Sequence, residues 1–125
     1  MAGRLVGKRI LIVEDEYFIA SDLKRALAEE EAVVVGPVSE LARGLSLAGG
    51  ESLDAAVLDV NLEGATSYTI ADRLSDRAVP FMFLTGYDGW ALPEPYRGAP
   101  RLGKPFVMKQ ALSCLETLVA RSTVS

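Results

Sequence analysis

Val79-Pro80-Phe81-Met82-Phe83-Leu84-Thr85-Gly86-Tyr87-Asp88 is the stretch around which the rest of the chain falls into place. The apolar, aromatic-rich run from Val79 to Leu84 predicts a short buried strand. Pro80 is tolerated because it stands at the strand's beginning, where a missing N–H costs least. The strand ends on a hydroxyl, Thr85, and Gly86 then lets the backbone turn sharply. A hydroxyl at that place is suited to ligand chemistry, because open α/β sheets bind ligands at the carboxyl ends of their strands.

Working outward, the same pattern repeats. Upstream, Leu53 to Leu58 predicts a buried strand that ends at Asp59, followed by the loop Val60-Asn61-Leu62-Glu63-Gly64. Thr66 or Ser67 then opens a helix carrying Ile70, Ala71 and Leu74. Arg9 to Val13 is another continuous apolar run, as expected of a central parallel strand covered on both faces. It runs into three acids, Glu14-Asp15-Glu16, and a helix with Ile19, Ala20, Leu23, Ala26 and Leu27 on one stripe. Asp15 and Glu16 suit that helix's N-terminus through capping and the helix dipole. Ala32 to Val35, closed by Gly36-Pro37, predicts the remaining early strand. Ser39 then caps a helix through about Ala48, ended by Gly49-Gly50.

Downstream, Tyr87 to Pro100 holds Gly89, Pro93, Pro95, Gly98 and Pro100, which allow at most one turn, around Gly89 to Leu92. Arg101 to Gly103 predicts a short strand leading into Lys104-Pro105-Phe106. A last helix carries Met108, Ala111, Leu112, Leu115, Leu118 and Val119. Strands alternating with helices predict an α/β, flavodoxin-like (βα)5 fold. Its five-stranded parallel sheet should have the order 2-1-3-4-5, with helix 4 short or disordered. The expectation is a single domain over residues 1–125, with no effector domain.

The 125 residues carry 13 basic and 17 acidic side chains, a net charge of -4 that argues against nucleic acid as a direct partner. No apolar run reaches the roughly 18 residues that span a bilayer, so no membrane partner is expected. The first residues lack a signal peptide's apolar core, which makes a cytoplasmic location the expectation. One cysteine, Cys114, in an apolar helical pattern reads as a buried thiol. With no histidine and one cysteine, a zinc site or a Ser-His-Asp triad cannot be built. Any metal must therefore be held by oxygen, as Mg2+, Mn2+ or Ca2+ are.

In the expected strand order, the carboxyl ends bring together Glu14, Asp15, Asp59, Thr85 and Lys104. Three clustered carboxylates repel one another and are stable only with a cation among them. Mg2+ suits them, with the Asn61 carbonyl placed to join from the loop. A carboxylate with metal on one side and a hydroxyl and an ammonium on the other resembles a phosphoryl-transfer site. Asp59 is then the nucleophile, Thr85 bonds a phosphoryl oxygen and Lys104 neutralises another. Taken singly, each residue has a plainer reading: Glu14 and Asp15 as a helix cap, Asp59 and Thr85 as turn residues, Lys104 as a solvated charge. Their joint occurrence at four strand ends favours the site.

Ile12-Val13-Glu14-Asp15-Glu16, Leu58-Asp59-Val60-Asn61-Leu62, Leu84-Thr85-Gly86 and Lys104-Pro105-Phe106 together resemble a response-regulator receiver domain. The resemblance covers essentially the whole chain. It implies Asp59 as phosphoacceptor, Glu14 and Asp15 as the acidic pair, and Mg2+ held by Asp15, Asp59 and the Asn61 carbonyl. Thr85 becomes the switch hydroxyl and Lys104 the phosphate-contacting lysine. The phosphoryl group would come from a sensor histidine kinase or a histidine phosphotransfer protein. The signal would pass to a downstream protein by contact, or the domain would serve as a phosphate sink.

Pro80 to Tyr87 also resembles the Pro-Phe-x-Phe-Ala-Thr-Gly-Tyr motif of a receiver subgroup, often single-domain, with Leu84 in place of its alanine. Receivers usually carry an aromatic residue three positions before the lysine, where this chain has Arg101. That substitution makes Tyr87 the candidate switch residue. Two other functions compete. A haloacid dehalogenase-like Mg-dependent phosphatase would need a second acid two residues after Asp59, where Asn61 stands. A receiver scaffold that has lost phosphorylation is disfavoured by the intact acidic pair, Asp59, Thr85 and Lys104.

Overall fold

The computed structural model describes residues 3–86 and 92–122. Five parallel strands form one sheet: β1 (Arg9–Val13), β2 (Val33–Val38), β3 (Ala55–Asp59), β6 (Phe81–Thr85) and β7 (Arg101–Gly103). Their order, β2-β1-β3-β6-β7, is the expected 2-1-3-4-5 once a two-stranded antiparallel hairpin is set aside. That hairpin, β4 (Asn61–Leu62) with β5 (Ala65–Thr66), occupies the segment expected to be loop. Gly64 turns it with a φ of +77°, a conformation that favours glycine.

The strands are apolar throughout because helices cover both faces, and alternate side chains feed two cores. Ile10, Ile12, Ala55, Val57, Met82 and Leu84 point to one face. There they meet α1 (Tyr17–Glu29) and α4 (Met108–Ser122) through Leu23, Leu27, Ala111, Leu115 and Leu118. Leu11, Val13, Ala56, Leu58 and Phe83 point to the other. They meet α2 (Leu41–Gly50) and α3 (Tyr68–Asp76), where a Cβ on Gly44 would lie 2.5 Å from Ile70 Cδ1. The bare glycine is what lets α3 approach α2.

Three boundaries differ from expectation. β2 does not close at Gly36-Pro37 but runs through them to Val38, with a register shift between Leu11 and Val13 of its neighbour. As an edge strand it tolerates the proline. Glu40, not Ser39, is the N-cap of α2, and the helix continues through Gly49 and Gly50. Cys114 is half-buried rather than buried, and burial pushes its thiol pKa up.

Between β6 and β7 the described residues contain no α-helix, only a three-residue 3-10 turn, Glu94–Tyr96. An aromatic patch seats it. Tyr96 stacks on Tyr68 of α3 at 4.5 Å between ring centroids, and both rings stand edge-on to Phe83. The Tyr96 hydroxyl donates to Asp72 at 2.8 Å. Tyr87 and most of the turn expected at Gly89 to Leu92 lie outside the described residues. No helix among the described residues is long and apolar enough to cross a membrane.

Candidate functional site

The carboxyl ends of β1, β3 and β7 converge because these strands are neighbours or near neighbours in one parallel sheet. Asp59 is the last residue of β3, Glu14 and Asp15 follow β1 directly, and Lys104 follows β7. Glu14, Asp15 and Asp59 each offer a carboxylate oxygen within 4.8 Å of the others. Lys104 reaches into this group, donating to Asp59 Oδ2 at 3.0 Å, Glu14 Oε2 at 3.2 Å and Glu16 Oε1 at 2.8 Å.

The local backbone fixes the acids. Glu14 Oε2 accepts the Glu16 N–H at 2.9 Å, which turns the chain out of β1 toward α1. Asp59 Oδ1 accepts the Asn61 N–H at 3.2 Å, which ties the carboxylate to the start of the hairpin. Glu14 and Asp59 are buried polar side chains, and Glu14 Oε1 has no hydrogen-bond partner although the Lys104 ammonium is 3.1 Å away.

Electrostatics records the crowding. Burial, reinforced by Glu14 and Asp15, pushes the Asp59 carboxyl up to about 8, against the pull of Lys104 in the opposite direction. Burial also works against the charge of Lys104, but its bonds to Glu16, Asp59 and Glu14 prevail and raise its pKa. One ammonium thus leaves the acids under-compensated. A buried carboxylate oxygen without a partner, beside two more carboxylates, suits a hard divalent cation with oxygen ligands. A cleft of about 550 Å³, lined by Asp15, Ser39, Glu40, Leu62 and Glu63, opens beside the group.

The structure therefore brings together Glu14, Asp15, Asp59 and Lys104. Thr85 is buried at the end of β6, but its hydroxyl donates across to the Leu102 carbonyl at 3.4 Å. Asn61 sits beside Asp59 through its backbone. Glu16 stands at the N-cap of α1 as expected, but its side chain makes no capping bond and pairs with Lys104, a partnership that sequence reasoning missed. The signal was the third acid of Glu14-Asp15-Glu16. Arg101 stands exposed at the start of β7, in register with Phe83.

Comparison with known proteins agrees with this architecture. The response regulator receiver domain model matches residues 10–94. The chain is 34% identical over 134 residues to the transcriptional regulatory protein TcrA of Mycobacterium tuberculosis, covering 98% of this chain and 50% of that protein. It is 30% identical over 124 residues to the transcriptional regulatory protein PdtaR of the same species, covering 96% of this chain and 60% of that protein. The chain thus spans about half to three-fifths of the length of these two relatives.

Among solved structures, SdrG from Sphingomonas melonis Fr1 superposes with a TM-score of 0.78 at 37% identity, covering 94% of this chain and 98% of that one. The receiver domain of the sensor histidine kinase PA1611 from Pseudomonas aeruginosa has the same fold, with a TM-score of 0.75 at 21% identity over 92% of this chain and 99% of that one. That receiver was solved with a magnesium ion in its active-site cleft. With the family match spanning the sheet from β1 to the turn before β7, this chain belongs to the response regulator receiver domains of two-component systems.

Proposed function

We propose that Asp59 is a phosphoacceptor that takes a phosphoryl group from a phosphohistidine of a sensor histidine kinase or histidine phosphotransfer protein. The observation that carries this reading is the Asp59 carboxylate held between two further acids and the Lys104 ammonium at the sheet's carboxyl edge. Asp59 attacks phosphorus, the donor's P–N bond breaks as the new P–O bond forms, and the imidazole leaves with a proton from solvent. Lys104 offsets charge on the phosphoryl oxygens. Thr85 turns its hydroxyl from the Leu102 carbonyl toward one of them.

Asp15, Asp59 and the Asn61 carbonyl, with Glu14 behind them, are the residues that would hold Mg2+. When bound, the ion supplies the positive charge that keeps Asp59 ionised and screens the incoming phosphate. The magnesium ion described for the Pseudomonas receiver supports this assignment by analogy. Pro80 to Thr85 and Gly86 further support membership of the Pro-Phe-x-Phe-Ala-Thr-Gly-Tyr subgroup, with Tyr87 as switch residue. The output is a protein contact or a phosphate sink, in the cytoplasm and without direct nucleic-acid or membrane binding, rather than turnover as an enzyme.

The test is intact mass after incubation with acetyl phosphate and Mg2+. Wild type should gain one phosphoryl group and Asp59→Ala none. No gain on wild type, or an equal gain in the variant, overturns the reading.

A further inference from the structure

Glu16 makes the shortest of the three hydrogen bonds to Lys104, 2.8 Å against 3.0 Å for Asp59 and 3.2 Å for Glu14. An ammonium has three N–H donors, so this set of acceptors occupies all of them. Glu16 holds the N-cap position of α1, yet its carboxylate makes no bond to the helix and turns across the mouth of the site instead. Its side chain is 59% exposed, whereas those of Asp59 and Glu14 are 6% and 0%. Two partners of Lys104 are therefore fixed in the interior, and the third stands at the rim.

We propose that Glu16 is a positioning residue that acts through Lys104, holding the ammonium at the rim in competition with the phosphoryl group. The proposal rests on the reading of Asp59 as phosphoacceptor. When the P–O bond forms, the bonded Asp59 oxygen loses its negative charge and much of its strength as an acceptor. The donor released from it turns to the phosphoryl oxygens, but only as far as Glu16 lets the ammonium move. The Glu16 charge also faces every anionic phosphodonor that enters. Both effects oppose acceptance; an amide of the same shape removes the charge and leaves only a weaker, neutral acceptor for Lys104.

The measurement compares Glu16→Gln with wild type on acetyl phosphate and Mg2+, following the rate of mass gain. A rim charge pair of this exposure predicts acceptance about two- to fivefold faster in the variant. A rate equal to wild type or slower overturns the competition. A second readout is hydrogen exchange of the Lys104 ammonium with water, followed by nitrogen-15 NMR on the unphosphorylated protein. Exchange should quicken in Glu16→Gln, and unchanged exchange shows that Glu16 does not hold Lys104. If wild type takes up no phosphoryl group, the phosphoacceptor reading fails and the competition fails with it, while the exchange result still decides the ion pair.

Discussion

Two regions meet along β6, and they are built on opposite principles. Around Phe83, rings gather because contact favours them: Tyr68 and Tyr96 stack, and Phe81 and both tyrosines stand edge-on to Phe83. Beyond the strand ends, charges gather that contact does not favour: Glu14, Glu16 and Asp59 share one lysine with Asp15 close by, and Asp59 is pushed up to about 8. The aromatic patch holds itself together and takes over the cover that a full helix gives the opposite face. The acidic site is held together by the sheet beneath it. On the proposed phosphoacceptor reading, that cost in stability serves a reaction rather than the native state.

The strongest way to break that contrast is Phe83→Ala. Phe83 is fully buried under both tyrosines, so its loss should cost about 4 kcal/mol in chemical denaturation. A loss below about 2 kcal/mol would show that the patch does not carry this face.

The acidic region should behave in the opposite sense: removing a charge should help. With chelator present, wild type should lose stability as pH rises from about 4 to 8. Over that window the unfolded Asp59 ionises near 3.8 while the folded one resists until about 8. Asp59→Asn should not show that decline and should melt a few degrees higher than wild type at pH 8. Mg2+ should close the gap by stabilising wild type alone. A variant less stable than wild type at pH 8 in chelator would mean that the bond to Lys104 outweighs the repulsion.

The smallest effect sharpens the aromatic side. Tyr96→Phe keeps the stacking and removes only the bond to Asp72, a cost of about 0.5 kcal/mol. Burial and Asp72 push the Tyr96 phenol up to about 12. Its contribution should therefore persist below pH 10, the ordinary tyrosine value, and fade as pH rises through about 12. Ultraviolet titration of Asp72→Asn should show one tyrosine ionising earlier, and an unchanged profile would remove Asp72 from the account.

The strands and the clustered residues were legible because buried parallel strands leave unbroken apolar runs, and acids or a lysine directly follow several of them. Arg9 to Val13 was read to the residue for that reason. Gly36-Pro37 misled because the pair is a turn signal nearly everywhere except on an edge strand, which is where β2 lies. The hairpin at Asn61 to Thr66 was hidden by its brevity, two residues to a strand. The pairing of Tyr68 with Tyr96 joins residues 28 positions apart across a segment that has no periodicity to read. The side-chain partner of Glu16 was missed because capping is a local rule, while Lys104 is 88 residues away.

The strand order also has a consequence in time. Strand β1 pairs with β2 and β3, so the half-sheet β2-β1-β3 is complete once Asp59 has been synthesised. A nascent chain at that point holds all three acids and lacks the ammonium, which arrives 45 residues after Asp59. The strands from β1 to β3 thus assemble their repulsion first, and the residue that relieves it emerges only after β6. Docking of β7 completes the sheet and in the same step brings in the charge that lets the earlier strands settle.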